Sequence, residues 1–101
     1  MIKVVDIANV TVDLEDKAFH VVDVREADEF AAGHVPGAIS LPLSELANRY
    51  TELDFETPYH IICHLGGRSS QACLFLDAQG YDVTNINGGT AAWTGELEKC
   101  D

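Results

Sequence analysis

The chemistry in this chain is concentrated in one decapeptide, IICHLGGRSS at residues 61–70, in which a cysteine is followed, after four intervening residues, by an arginine. Cys63 ends an apolar run and precedes Gly66 and Gly67, and glycines take the positive φ angles that turn successive backbone N–H groups inward around a point. Such a ring of amides at a helix start stabilises an anion through its unpaired donors and through the positive end of the helix dipole. The first anion it would meet is the Cys63 thiolate, the nucleophilic form of cysteine, whose pKa falls from about 8.5 in such surroundings. Arg68, permanently charged and fork-shaped, suits the oxygens of an incoming sulfonate or similar group. His64 and Leu65 would stand at the rim, where side chains meet the substrate. Against this reading stands the ordinary use of a lone cysteine at a strand end as small apolar packing. The two glycines, the arginine and the helix that follows weigh together toward a reagent.

For that chemistry the cysteine must sit at the carboxyl end of a strand, with a helix opening just beyond it. Tyr59 to Cys63 has the length and character of a buried strand, and Ser69 to Gln79 carries Ala72, Cys73, Phe75 and Leu76 at helical spacing before Gly80. Upstream, FHVVDV at 19–24 reads as a strand and READEFAAGH as a short helix closed by Gly33. Pro36 and Gly37 punctuate the chain before a short strand at 38–41, and LSELANRY forms an amphipathic helix starting near Ser44. YDVTNI is a further strand and NGG the turn after it, while Met1 to Val5 is a candidate first strand leading into a weak helical turn from Asp6. Strands alternating with helices predict an α/β fold, with right-handed crossovers and a parallel sheet covered on both faces. In open parallel sheets ligands bind beyond the carboxyl ends of the strands, which is where Cys63 falls. No repeat, low-complexity tract or linker interrupts the chain, so residues 1–101 read as one domain.

Composition narrows the partners. The chain has 101 residues, 47% of them hydrophobic, enough for a single core. Seventeen Asp and Glu against six Lys and Arg give a net charge of −11, which opposes binding to nucleic acid and to anionic membrane surfaces and otherwise describes a well-solvated exterior. Three cysteines are an odd number and argue against a disulfide framework. The opening MIKVVDIANV lacks the core of a signal peptide, and no apolar run approaches the roughly 20 residues of a membrane span, so a cytoplasmic protein is expected. The scattered His and Cys show no metal-ligand spacing, and no metal or other cofactor is expected.

Five segments, DVREADEF at 23–30, GHVPGAISLP at 33–42, CHLGGRS at 63–69, GYDVTNINGG at 80–89 and AAW at 91–93, resemble the successive signature segments of the rhodanese family, in order. The resemblance covers most of residues 20–93. It implies a mostly parallel sheet of about five strands flanked by helices on both faces. It also implies a sulfurtransferase that carries sulfane sulfur as a Cys63 persulfide, from thiosulfate or a persulfide to cyanide or a cellular thiol. Cys63 would be the nucleophile, the loop formed by His64, Leu65, Gly66, Gly67 and Arg68 would stabilise thiolate and persulfide, and Arg68 would orient an anionic donor. Phosphatases of the same fold have one more residue between cysteine and arginine, so the count of four ranks phosphatase or arsenate reductase chemistry below sulfur transfer. A noncatalytic binding or regulatory module is the other alternative, and such modules usually lack the cysteine. His64 and Leu65 offer no fixed positive charge at the mouth, and the acidic chain repels a small dianion within the screening length of about 8 Å. A low-molecular-weight persulfide, or one on a carrier protein, is therefore the expected natural donor.

The remaining polar residues have structural readings. Asp23 and Arg25, which end the strand opposite the candidate site, are expected to order the loop or its neighbours through charged hydrogen bonds. His34 in GHVPGA is expected to hold its turn by hydrogen bonding rather than to shuttle protons. Cys73 belongs to a helix core rather than acting as a resolving thiol, Cys100 is an incidental thiol near the chain end, and Trp93 packs near the site. Gly88 and Gly89 read as a turn, and His20 and His60 flank strands with no partner pattern.

Overall fold

Side chains along a strand alternate between the two faces of its sheet, and in this chain both faces are buried. The computed structural model describes residues 2–7 and 20–99. Its elements are β1 (Lys3–Asp6), β2 (Val21–Asp23), α1 (Ala27–Ala32), β3 (Ile39–Ser40), α2 (Leu43–Arg49), β4 (Tyr59–Ile62), α3 (Gly67–Ala78) and β5 (Val83–Asn87), with 3₁₀ turns at Tyr50–Glu52 and Thr90–Ala92. The five strands form one sheet in the order β1-β5-β4-β2-β3, and every pairing is parallel. This is the α/β architecture that the alternation of strands and helices predicts.

Neighbouring residues in the central strands serve different cores. Val22, Ile61, Cys63 and Val83 pack with Leu46 of α2 and with Ala72, Cys73 and Leu76 of α3. Val21, Ile62 and Ile86 turn the other way and pack with Ile7 and Val35, against which Ala38 and Trp93 lie. A shift of one residue in β4 would exchange these two sets, so burial on both sides pins the register that delivers Cys63. Cys73 is fully buried, and burial, assisted by the charge of Asp77, pushes its thiol up to about 12. It is a packing residue with no thiolate to offer near neutral pH. Among the described residues no helix is long and apolar enough to cross a membrane.

Several boundaries differ from the sequence expectation for local reasons. β1 runs through Asp6, because the Asp6 backbone is in register with Asn87 of β5, and the helical turn expected from Asp6 enters at Ile7, beyond which it lies outside the described residues. α2 starts at Leu43 with Pro42 as its N-cap, and Ser44 lies inside the helix, where its hydroxyl donates to Glu26 Oε1 at 2.7 Å. α3 starts at Gly67, two residues before Ser69. Cys100 lies outside the described residues.

Asp23 and Arg25 form a buried ion pair beside the site. The strand they end is the immediate neighbour of the cysteine strand, with Asp23 in register with Ile62. Arg25 Nη2 donates to Asp23 Oδ2 at 2.7 Å and to the Gly33 carbonyl at 2.6 Å, while Arg25 Nε and the Arg25 amide each donate to Asp23 Oδ1 at 3.0 Å. The pair thus ties the end of β2 to the turn after α1. His34 completes that turn: its Nδ1 donates to the Phe30 carbonyl at 2.8 Å, and its ring stacks on Phe30 with centroids 3.7 Å apart.

Candidate active site

β4 ends at Ile62, and Cys63 follows it at the carboxyl edge of the sheet. Gly66 takes φ +111° as the N-cap of α3, a backbone shape that a side chain would strain, and it aims its own N–H at the sulfur. That amide donates to Cys63 Sγ at 3.0 Å, and Ser69 Oγ lies 3.4 Å from the same sulfur. The thiol is almost completely covered, at 1% exposure, and burial is the largest single influence on it, acting upward. The Ser69 hydroxyl and the amides of Ser69, Gly66 and Leu65 together outweigh burial and hold the thiol below its ordinary range. The anion cradle read from the two glycines is present, and beside the Gly66 amide it includes a serine that the sequence marked only as the opening of a helix.

Arg68, expected to orient an anionic donor, lines the cavity and is paired there with a carboxylate. Its Nη1 and Nη2 donate to Glu29 Oε1 and Oε2 at 2.6 and 3.0 Å, a bidentate pair reaching across to α1. Glu29 Oε1 also accepts from the Glu26 amide at 3.2 Å, so one carboxylate caps a helix and holds the arginine. The hydrogen bonds from Arg68 hold the Glu29 carboxyl at about 2. Because this value is depressed on folding, the pair's stabilisation is complete above the ordinary carboxylate range and is lost only as pH falls toward about 2. Glu29 sits 39 residues before Arg68 in the chain, and its short-range pattern with Glu26 suggests a helix cap and nothing more.

The site opens through a cavity of about 240 Å³ lined by Cys63, His64, Leu65, Gly67 and Arg68. Leu65 is 73% exposed at its rim, and His64 Nδ1 lies 3.2 Å from Thr90 Oγ1. Gly66 contributes its amide from beneath. Asp23, Arg25 and His34 stand behind the site as its support and do not line the cavity.

The second glycine pair proves to be more than a turn. Thr90 N–H donates to the Cys63 carbonyl and Ala91 N–H to the His64 carbonyl, each at 2.9 Å, so the 3₁₀ turn after β5 braces the cysteine loop. Gly89 has φ +57°, and a Cβ there would collide with the carbonyl oxygens of both Cys63 and His64. Gly89→Ala therefore combines backbone strain of about 1–3 kcal/mol with overpacking of similar size, and urea unfolding should show a loss of about 2–6 kcal/mol. A loss below about 0.5 kcal/mol, the range of ordinary surface substitutions, would contradict this account of the brace. The tandem of two glycines ahead of a helical turn was the only sequence signal of this close approach.

Comparison with known proteins agrees with this geometry. The sequence model of the Rhodanese-like domain family matches residues 8–96. The chain is 36% identical over 83 residues to a Bacillus subtilis (strain 168) protein provisionally named sulfurtransferase YtwF, an alignment covering 82% of this chain and 81% of that one. It is 38% identical over 84 residues to another protein of the same organism, provisionally named sulfur carrier protein YrkF, of whose length the match covers 45%. Among solved structures, the rhodanese-like domain protein from Staphylococcus aureus superposes with a TM-score of 0.90 at 31% identity, over 99% of this chain and 100% of that one. The family match spans β2 to β5 and the whole cysteine loop, and on that extent the chain belongs to the rhodanese-like domain family.

Proposed function

We propose that this protein is a sulfurtransferase that carries sulfane sulfur as a persulfide on Cys63. The observation that carries the reading is the amide of Gly66, held 3.0 Å from Sγ inside a four-residue loop at the carboxyl end of β4. In the loading step the Cys63 thiolate attacks the outer sulfur of a donor R–S–SH. The new S–S bond to Cys63 forms as the donor's own S–S bond breaks, and R–S⁻ departs with its electron pair. In the unloading step an acceptor thiolate, or cyanide, attacks the outer sulfur of Cys63–S–SH. The bond between Cys63 Sγ and the outer sulfur breaks as the acceptor's bond to that sulfur forms, and the electron pair returns to Sγ, which the loop amides and Ser69 stabilise. The outer sulfur leaves with its proton as the acceptor persulfide, or as thiocyanate after loss of that proton to water. His64, Leu65 and Gly67 border the space that the outer sulfur enters.

The pairing of Arg68 with Glu29 favours a persulfide over thiosulfate as donor. The guanidinium reaches the cavity with both terminal nitrogens already engaged by a carboxylate, and among the described residues no other lining residue carries a fixed positive charge. A dianion gains little from such a mouth. The cavity is also smaller than the roughly 300 Å³ at which pockets for drug-sized ligands begin, so it admits the reacting end of a donor and leaves the rest outside. A persulfide on a small thiol or on a carrier protein meets both conditions.

Intact mass spectrometry after incubation with glutathione persulfide should show one added sulfur atom that cyanide or dithiothreitol removes, and the absence of any adduct would overturn the reading. Turnover with glutathione persulfide should exceed that with thiosulfate, and a strong preference for thiosulfate would defeat the assignment of donor class. Glu29→Gln frees one charge-assisted contact on Arg68 and should raise kcat/KM for thiosulfate about tenfold, the worth of roughly 1.4 kcal/mol. An unchanged value would show that Glu29 does not limit anion recognition.

A further inference from the structure

Ser69 is completely buried, and its Oγ lies near three atoms that could take its proton: Cys63 Sγ at 3.4 Å, the Gly66 carbonyl oxygen at 3.0 Å and Asn85 Oδ1 at 2.6 Å. A hydroxyl has one proton to give and two lone pairs with which to accept. The Gly66 carbonyl already receives the Ser70 amide at 3.1 Å, so it does not depend on Ser69. The decisive neighbour is Asn85. As long as Ser69 donates to Asn85 Oδ1, it can only accept from the sulfur, an arrangement that suits a Cys63 thiol and deserts a thiolate. A thiolate needs that proton turned toward it.

A side-chain amide can meet both demands. Rotated by half a turn, Asn85 presents Nδ2 where Oδ1 stood and donates to Ser69 Oγ, which releases the serine proton for the sulfur. Asn85 comes from β5, where its backbone is in register with Val4 and Ile61, on the same side of the strand as Val83 and hence under α3. The sheet therefore holds the amide in place, while its terminal torsion stays free to exchange the two ends. We propose that Asn85 is a positioning residue that sets the direction of the Ser69 hydroxyl, so that the chain Asn85 to Ser69 to Cys63 donates toward a bare sulfur and runs in reverse when the sulfur carries a proton.

The inference rests on the reading of Cys63 as the working thiolate, and it is tested on the thiol itself rather than on transfer. The charged and titratable groups around Cys63 are Arg68 on α3 with its partner Glu29 on α1 and His64 in the loop, with the Asp23–Arg25 pair behind Arg68, and all of them are common to the variants compared. Thiolate absorbance is titrated in the full chain carrying Cys100→Ser, with alkylation of Cys63 followed by peptide mapping. Asn85→Asp keeps the size but can only accept, so it captures the serine proton permanently. The Cys63 midpoint should rise by at least about one pH unit, a tenfold loss of thiolate below the midpoint. In an S69A background the same substitution should move the midpoint by less than about a third of that, because the relay is already cut. A wild-type midpoint in the N85D variant, or an equal shift with and without Ser69, would overturn the proposal, since the second result would reduce the effect to direct repulsion. Should N85D not fold by circular dichroism, Asn85→Leu, which neither gives nor takes a hydrogen bond, should still raise the midpoint by about half a unit. An unshifted N85L would be equally fatal. If wild-type protein accepts no sulfur from any donor, the sulfurtransferase reading falls, while the titrations still decide the role of Asn85.

Discussion

Cys63→Ser should leave a folded protein that transfers no sulfur. Serine is slightly smaller than cysteine, and its hydroxyl can take the Gly66 amide that now reaches Sγ at 3.0 Å, so the loop keeps its shape. What disappears is a nucleophile that the loop holds below the ordinary thiol range and that forms a labile bond to sulfur. Thiocyanate formation from a persulfide donor and cyanide should fall by at least about four orders of magnitude, as when a covalent nucleophile is removed elsewhere. The thermal midpoint should move by only a few degrees, since a single small core change is worth about 1 kcal/mol. The variant also discriminates among the thiols. A sulfur adduct on the serine variant would assign the carrier role to another cysteine, and Cys73, buried and pushed up to about 12, is poorly prepared for it.

A large loss of stability should also come from Asp23→Ala, a residue outside the cavity. Asp23 and Arg25 have 0% and 7% of their side chains exposed, and removing the carboxylate leaves a buried guanidinium whose remaining hydrogen bond, among the described residues, is to the Gly33 carbonyl. Breaking such a pair costs about 3–5 kcal/mol, a large part of the roughly 5–15 kcal/mol by which small domains are stable. Urea denaturation should therefore show the midpoint fall sharply. Asp82→Ala serves as the comparison, because the Lys3–Asp82 pair is 65% and 57% exposed and such pairs contribute about 0–1 kcal/mol. Equal losses in the two variants would show that burial does not set the worth of the inner pair.

The strands and helices that deliver the cysteine were legible because their signals are local. Val21 to Val24 and Tyr59 to Ile62 are short apolar runs closed by punctuation, and Ala72, Cys73 and Leu76 recur at the period of a helix. The cysteine, the glycines and the count of four to Arg68 were legible for the same reason. The residues that complete the site come from elsewhere in the chain. Glu29 reaches Arg68 from α1, Asn85 reaches Ser69 from β5, and Gly89 clears room for the carbonyls of Cys63 and His64. Each contact follows from the strand order β1-β5-β4-β2-β3, which places the ends of β2 and β5 on either side of β4. No periodicity within one segment encodes that order. Hence Arg68 looks free in the sequence and is bound in the fold, and the glycine pair at 88–89 looks like a simple turn.

The brace behind the cysteine loop also sorts the loop's dipoles by direction. The carbonyls of Cys63 and His64 are drawn backward onto Thr90 and Ala91, and that of Gly66 is taken by Ser70, while the Gly66 amide turns toward the sulfur and those of Leu65 and Ser69 help to lower its pKa. In the proposed transfer, negative charge would leave Cys63 for an outer sulfur and come back without any peptide group having to swing round. In water, solvent molecules would have to reorient at each of those moves; here the reorientation was completed once, when the chain folded.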